Sequence, residues 1–329
     1  MGRTKFKFGF ALPQGWRWLD DETDGSPMKQ YEFARNIATL ADHLTGYDSV
    51  YAYDHFMPYF KPNVYQSYFE CYVFLSAIAA VTRRIRIGQM VTCASYRNPA
   101  LLAKMASTLD VVSNGRLDFG IGAGWYKEEY LSYGYDYLSN IIRIRELDES
   151  LSIIKAMWTE KQATFQGRYH SVKDAICSPK PIQQPYPTIT VGGSGEKFLL
   201  RVVAKHADRY NHPYGSMNEV RRRISLLKEH CDTIGRNHKE IELSVVLRCL
   251  IKETVEDIER QITVWKNKNE NIEQFKNRLG TETLIGTPEQ IVSKLREYID
   301  MGIDHFVFHF IGLKRETIEL FNSKVISRI

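Results

Sequence analysis

Four short stretches carry side chains or bare backbone able to do chemistry. Tyr53-Asp54-His55-Phe56 sets a histidine beside a carboxylate. Imidazole titrates near neutral pH and, once oriented, can give or take a proton. Adjacent residues need not hydrogen-bond to each other, so a surface-loop histidine is the competing reading of that pair. Gly120-Ile121-Gly122-Ala123-Gly124-Trp125 contains G-x-G-x-G rather than the full dinucleotide fingerprint, and no later acidic residue secures a ribose. Its glycines would let a flat ring or a phosphate approach near Gly122 and Ala123, or would simply make a tight turn. Gly192-Gly193-Ser194-Gly195 is expected directly before a helix, where loop N–H groups and the helix terminus attract an anion. A flexible turn is the alternative there. Thr92-Cys93-Ala94-Ser95-Tyr96-Arg97 offers small polar groups to a ring edge, and Cys93 as a nucleophile would need a nearby base. Asn211-His212-Pro213 and His309 fit either a pocket or a core.

These stretches must be positioned by the elements around them. Strand signals at 6–10, 49–53, 85–90, 116–121, 188–191, 208–211, 242–250 and 305–311 alternate with helical spacing. Helices are expected at 28–44, 71–81, 99–112, 143–158, 196–207, 217–234 and 255–265, and after Thr287-Pro288. Asn98 and Pro99 open one of them as a cap and first-turn proline, and Asn114-Gly115 closes it. A Gln-Gly pair within 163–172 predicts a small hairpin outside the main sheet, and the charged stretch from 266 to about 283 reads as an insertion. Eight strand–helix units predict an α/β fold, a (β/α)8 TIM barrel with a late insertion and a small hairpin insertion. Periodicity alone also allows an open doubly wound sheet. Barrels of roughly 250 residues with insertions form one domain, so residues 1–329 are expected to be one. In a barrel, all the candidate stretches sit just after strands, on the face that carries active sites.

Bulk properties exclude several functions. The net charge of +5 is spread over interleaved Lys, Arg, Asp and Glu, which argues against a nucleic-acid partner. No apolar run approaches the roughly 20 residues that span a bilayer, so no membrane partner is expected. Five cysteines with no metal-binding spacing read as reduced thiols of a cytoplasmic protein without a metal.

The run YRNPALLAKMASTLDVVSNGRLDFGIGAGW, Tyr96 to Trp125, resembles the signature of the luciferase-like monooxygenase superfamily, in its F420-dependent oxidoreductase branch. Asp54-His55, the Gly192–Gly195 turn and LIGTPEQIVSKLREYIDMGIDHFVF near the end recur in the same order. The resemblance covers nearly the whole chain. It implies a barrel that binds FMN or the deazaflavin coenzyme F420 at the C-terminal strand ends, acts on a small molecule and forms a homodimer. It also implies a bulge with a non-prolyl cis peptide after the third strand, near Gln89–Thr92, bringing Met90 and Thr92 to the ring. In the glucose-6-phosphate dehydrogenase branch, the histidine matching His55 is catalytic and the aspartate matching Asp54 contacts the deazaflavin. That branch has glutamate where Trp125 stands and tryptophan where Tyr59 stands. Both departures argue against sugar-phosphate oxidation and assign Trp125 and Tyr59 to the substrate pocket. An aromatic rim of Trp16, Trp18, Tyr59, Trp125 and Tyr126 would suit an apolar or planar molecule.

The expected chemistry is hydride transfer at the deazaflavin C5, with the phosphate tail toward Gly192–Gly195 and His55 moving a proton. An FMN-dependent two-component monooxygenase is the alternative, and a non-catalytic flavin-binding barrel is a third reading.

Overall fold

A computed structural model describes residues 6–14, 25–58, 67–280 and 282–329. Among these, eight parallel strands close into a barrel: β1 Lys7–Ala11, β2 Ser49–Ala52, β3 Arg86–Gln89, β4 Leu117–Gly122, β5 Ile189–Gly192, β6 Arg209–His212, β7 Glu242–Ile251 and β8 His305–Phe310. Each pairs with the next in sequence, and β8 returns to pair with β1. That closure rules out the open sheet.

Strand β8 shows how a period of two builds both sides of the wall. Phe306, Phe308 and Phe310 face outward and stack in line, and Phe308 and Phe310 meet Phe321 of the helix Arg315–Lys324. The alternate His305 and His309 bond to groups from other strands and loops across the interior. Burying each outer aromatic or aliphatic side chain contributes about 1.5–3 kcal/mol. The surrounding helices supply the matching faces, as in Cys71–Val81, which buries Tyr72, Phe74, Leu75 and Ile78.

Helix ends follow their local chemistry. Asn98 accepts hydrogen bonds from the backbone of Ala100 and Leu101 at the start of Pro99–Val112, and Asn114 and Gly115 end it with positive φ. The hairpin is present, Ala163–Gln166 against Ser171–Ala175. Most boundaries shift by one residue, and two helix starts shift by three. The helix after β5 starts at Leu199 rather than 196, because turns occupy the three preceding residues. The helix expected at 143 starts at Asn140, where Ser139 caps it. The charged stretch after Trp265 contains a helix, Ile272–Leu279, and a short strand, Leu284–Gly286, that adds to the end of β7.

The N-terminal end of the barrel interior is closed by ions. Asp118 of β4 accepts from Arg86 Nε at 2.7 Å, the Tyr51 hydroxyl at 3.1 Å and Arg209 Nη1 at 3.2 Å. Tyr51 also meets His305 Nε2 at 3.2 Å, and His305 Nδ1 meets Ser244 Oγ at 2.8 Å. Arg209 is paired a second time by Glu242. Burial alone would raise the Asp118 carboxyl, but Arg209 and Arg86 hold it well below the carboxylate range. Ala11, Tyr51, Tyr53, Met90, Val246 and Val307 form an apolar layer inside the barrel. Replacing Asp118 by alanine leaves Arg209 buried beside one fewer anion and should cost about 3–5 kcal/mol in urea unfolding at pH 7. The depressed carboxyl contributes stability above its unfolded value near 3.8 and loses it as pH falls further. The gap between wild type and Asp118→Asn should therefore narrow below about pH 4, and a pH-independent gap would refute the assignment.

Candidate active site

A cavity of about 520 Å³ opens among the loops that follow the strands, at their C-terminal ends. Asp54, His55, Met90, Thr92, Gly122, Ala123, Trp125 and the run Gly192 to Gly195 all line it. The sequence placed them over 140 residues apart; closure of the barrel brings them together. Tyr59, Trp16 and Trp18 lie outside the described residues.

His55 follows β2 and is held by a residue that pattern reading passed over. Its Nδ1 lies 2.9 Å from Oε2 of Glu129, on a six-residue helix, Lys127–Ser132. Glu129 is 0% exposed, and accepts from the Tyr96 hydroxyl at 2.5 Å and from the backbone N–H groups of Phe56 and Met57 at 2.7 and 3.2 Å. Burial would raise its carboxyl, but the bonds from His55, Tyr96 and Phe56 hold it below the ordinary value. An ionised carboxylate only accepts, so Nδ1 carries the proton and Nε2 is the basic nitrogen of the neutral ring. Trp125, 58% exposed, stands edge-on to the imidazole at 5.8 Å and stacks on Tyr126.

Asp54 points the other way. Arg97 grips both of its oxygens, at 2.7 and 2.9 Å, and the Cys93 N–H adds a third bond at 2.9 Å. Its partner in sequence, His55, is thus oriented by Glu129 and not by Asp54. Burial pushes the Cys93 thiol up to about 12, and its sulfur sits 2.9 Å from the Tyr130 hydroxyl. At neutral pH this is a protonated thiol, not a nucleophile.

The glycines have a packing reason. After Gln89 the chain leaves β3 through a cis Met90–Val91 peptide, as the family resemblance implied, and leans over β4 and β5. A Cβ on Gly120 would lie 2.0 Å from the Gln89 carbonyl, and one on Gly122 or Gly192 would lie 2.9 Å from a Val91 methyl. These residues give the bulge room, and the Val91 side chain lies where the Cβ atoms of Gly122 and Gly192 would point.

Arg143 also lines the cavity, beside Asn140 and the Gly193-Ser194-Gly195 backbone. It is 4% exposed and makes no ion pair within 4 Å among the described residues. Nη1 donates to the Leu138 carbonyl, the guanidinium covers the Tyr137 ring at 4.2 Å, and Nε is buried without a hydrogen-bond partner. A buried cation lacking an anion is costly. The composition could not reveal it, because Arg143 is one of many scattered basic residues. Asn211 and Pro213 reach the cavity; His212 instead meets Arg223, and His309 touches it through Tyr214. Burial, helped by Arg248, lowers His309 to about 3.

The arrangement sets a histidine held by a carboxylate, a glycine-rich wall and a buried guanidinium around one cavity, which fits a flat cofactor with an anionic tail. Comparisons agree on the kind of protein. The chain is 25% identical over 296 residues to the F420-dependent glucose-6-phosphate dehydrogenase of Amycolatopsis mediterranei, covering 82% of this chain and 86% of that one. It is 24% identical over 278 residues to the FMNH(2)-dependent dimethylsulfone monooxygenase of Pseudomonas putida, 76% of each. The structure of an F420-dependent secondary alcohol dehydrogenase superposes with a TM-score of 0.79 at 18% identity, over 98% of both chains. Relatives of both cofactor types are oxidoreductases. A profile of the luciferase-like monooxygenase family matches residues 8–305, and the chain therefore belongs to that family as an oxidoreductase with the TIM-barrel fold.

Proposed function

We propose that this protein is a coenzyme F420-dependent oxidoreductase moving a hydride between the deazaflavin C5 and a small organic substrate. The observation that carries the reading is His55, fixed at the cavity by the buried Glu129 carboxylate. A hydride passed to or from a carbonyl leaves one proton to place, and such a histidine handles it. A bound deazaflavin supplies two-electron hydride chemistry, because carbon replaces the nitrogen at position 5.

The protein's own work is orientation. The Met90–Val91 bulge and the bare Gly122-Ala123 wall can flank a ring, with Asp54 and Thr92 close by. The Gly192 to Gly195 backbone and Arg143 suit the anionic tail, which would give the buried guanidinium its missing partner. Trp125 shapes the substrate side. In the reducing direction the imidazolium form of His55 would give its Nε2 proton to the substrate oxygen and return to the neutral ring protonated at Nδ1; in the oxidising direction the bare Nε2 would receive the proton. Glu129 keeps the ring's tautomer fixed throughout.

We read residues 1–329 as one domain working as a cytoplasmic homodimer. Five free cysteines support the compartment. Exposed Val73, Leu101 and Val112 on two neighbouring helices support self-association.

An FMN-dependent monooxygenase is the second reading, favoured by relatives such as the dimethylsulfone enzyme. Titrating the purified protein with each cofactor separates the two: F420 should bind, and tight FMN binding without F420 binding would install the alternative. His55→Ala should lower turnover about 10²–10⁴-fold with cofactor affinity kept. Unchanged turnover would remove His55 from the chemistry, and cofactor binding with no wild-type turnover on any substrate would favour a non-catalytic barrel. Glu129→Gln should slow turnover by a smaller factor and alter its pH profile, which a purely structural glutamate would not do. Arg143→Gln should weaken the phosphorylated cofactor about 10–100-fold while leaving its dephosphorylated form unaffected. Equal loss for both forms would take the tail away from Arg143.

A further inference from the structure

A second arginine lines the cavity, and the proposed chemistry gives it no task. Arg248 lies near the C-terminal end of β7. In a closed barrel of eight strands in sequence order, β7 stands diametrically across from β3. The Arg248 side chain therefore stands across the barrel mouth from the Met90–Val91 bulge, where a substrate over the ring would be.

Its surroundings hold it in place without neutralising it well. The guanidinium lies over the Tyr214 ring at 4.4 Å. Tyr214 is fixed in turn by the Tyr53 hydroxyl and by His309 Nδ1, each at 3.2 Å. Arg248 Nη1 donates to the Leu279 carbonyl at 2.9 Å, and the Glu282 carboxylate stands off at 3.5 Å. The pair is a single contact at 3.5 Å, longer than a charge-assisted hydrogen bond, and both side chains keep about a fifth to a quarter of their surface exposed. Contrast Arg97 and Asp54, a two-point pair at 2.7 and 2.9 Å. That pair also silences Asp54, a carboxylate lining the cavity.

We propose that the substrate is a small organic acid whose carboxylate docks on Arg248 in place of Glu282. Tyr53 and Tyr214 flank that docking point, and Glu282 acts as a built-in stand-in that the substrate displaces. Arg248 is the specificity-determining residue. The proposal rests on the functional reading above for where the ring lies, but the acid preference can be measured separately.

Calorimetry with benzoate and its neutral isostere benzamide tests it, on cofactor-loaded and cofactor-free protein in parallel. Wild type should prefer benzoate by about tenfold or more. Arg248→Gln should abolish the preference, and Glu282→Gln should tighten benzoate while leaving benzamide unchanged. A merely structural Arg248–Glu282 pair predicts the reverse for Glu282→Gln: weaker binding of both probes. The proposal is overturned if wild type shows no preference, including no binding of either probe, or if Glu282→Gln weakens benzoate. Failure of both cofactors to bind, with the acid preference intact on free protein, would instead count against the cofactor reading alone.

Discussion

The chain after Gln89 leans across two neighbouring strands, and the rest of the cavity is arranged around that contact. Backbone and a valine side chain press where β4 and β5 would otherwise present side chains. Only glycine fits at 120, 122 and 192, so the two strands end in bare backbone. The cavity owes its flat wall to this steric exclusion. A glycine-rich stretch can look like a ligand cradle, yet here its first debt is to a neighbouring segment of the same protein.

Charge is handled differently at the two ends of the barrel. At the N-terminal end the two arginines of the interior cluster are matched, Arg209 by Asp118 and Glu242, Arg86 by Asp118. At the C-terminal end Asp54 is gripped by Arg97, Arg143 makes no ion pair within 4 Å among the described residues, and Arg248 meets Glu282 at 3.5 Å through one nitrogen. Low dielectric makes satisfied pairs rigid and unsatisfied ones expensive. The matched end is a structural plug; the other end is where the proposed ligands would supply the missing charge.

Much of the frame was legible because it depends on local signals. Asn98-Pro99 and Thr287-Pro288 start their helices where capping chemistry says, and the alternation in β8 sorts phenylalanine from histidine. The site's residues after strands were legible for the same reason. Glu129 was not. Its helix is six residues long, too short for a period to show, and its bond to His55 spans 74 positions. The acidic pair Glu128-Glu129 in a first helical turn was the signal available. Arg143 and Arg248 were hidden because nothing local distinguishes a cation facing a cavity from one facing water. The adjacency of Asp54 and His55 suggested a partnership that the fold divides between Arg97 and Glu129.

The ionic plug has a consequence for traffic. With salt bridges and an apolar layer below, ligands of the proposed site would come and go through the C-terminal mouth. Whatever seated deepest would then enter first and leave last. A cofactor lying against the bulge would then be covered by the substrate, and turnover would follow a compulsory order. A plug built for stability thereby sets a queue.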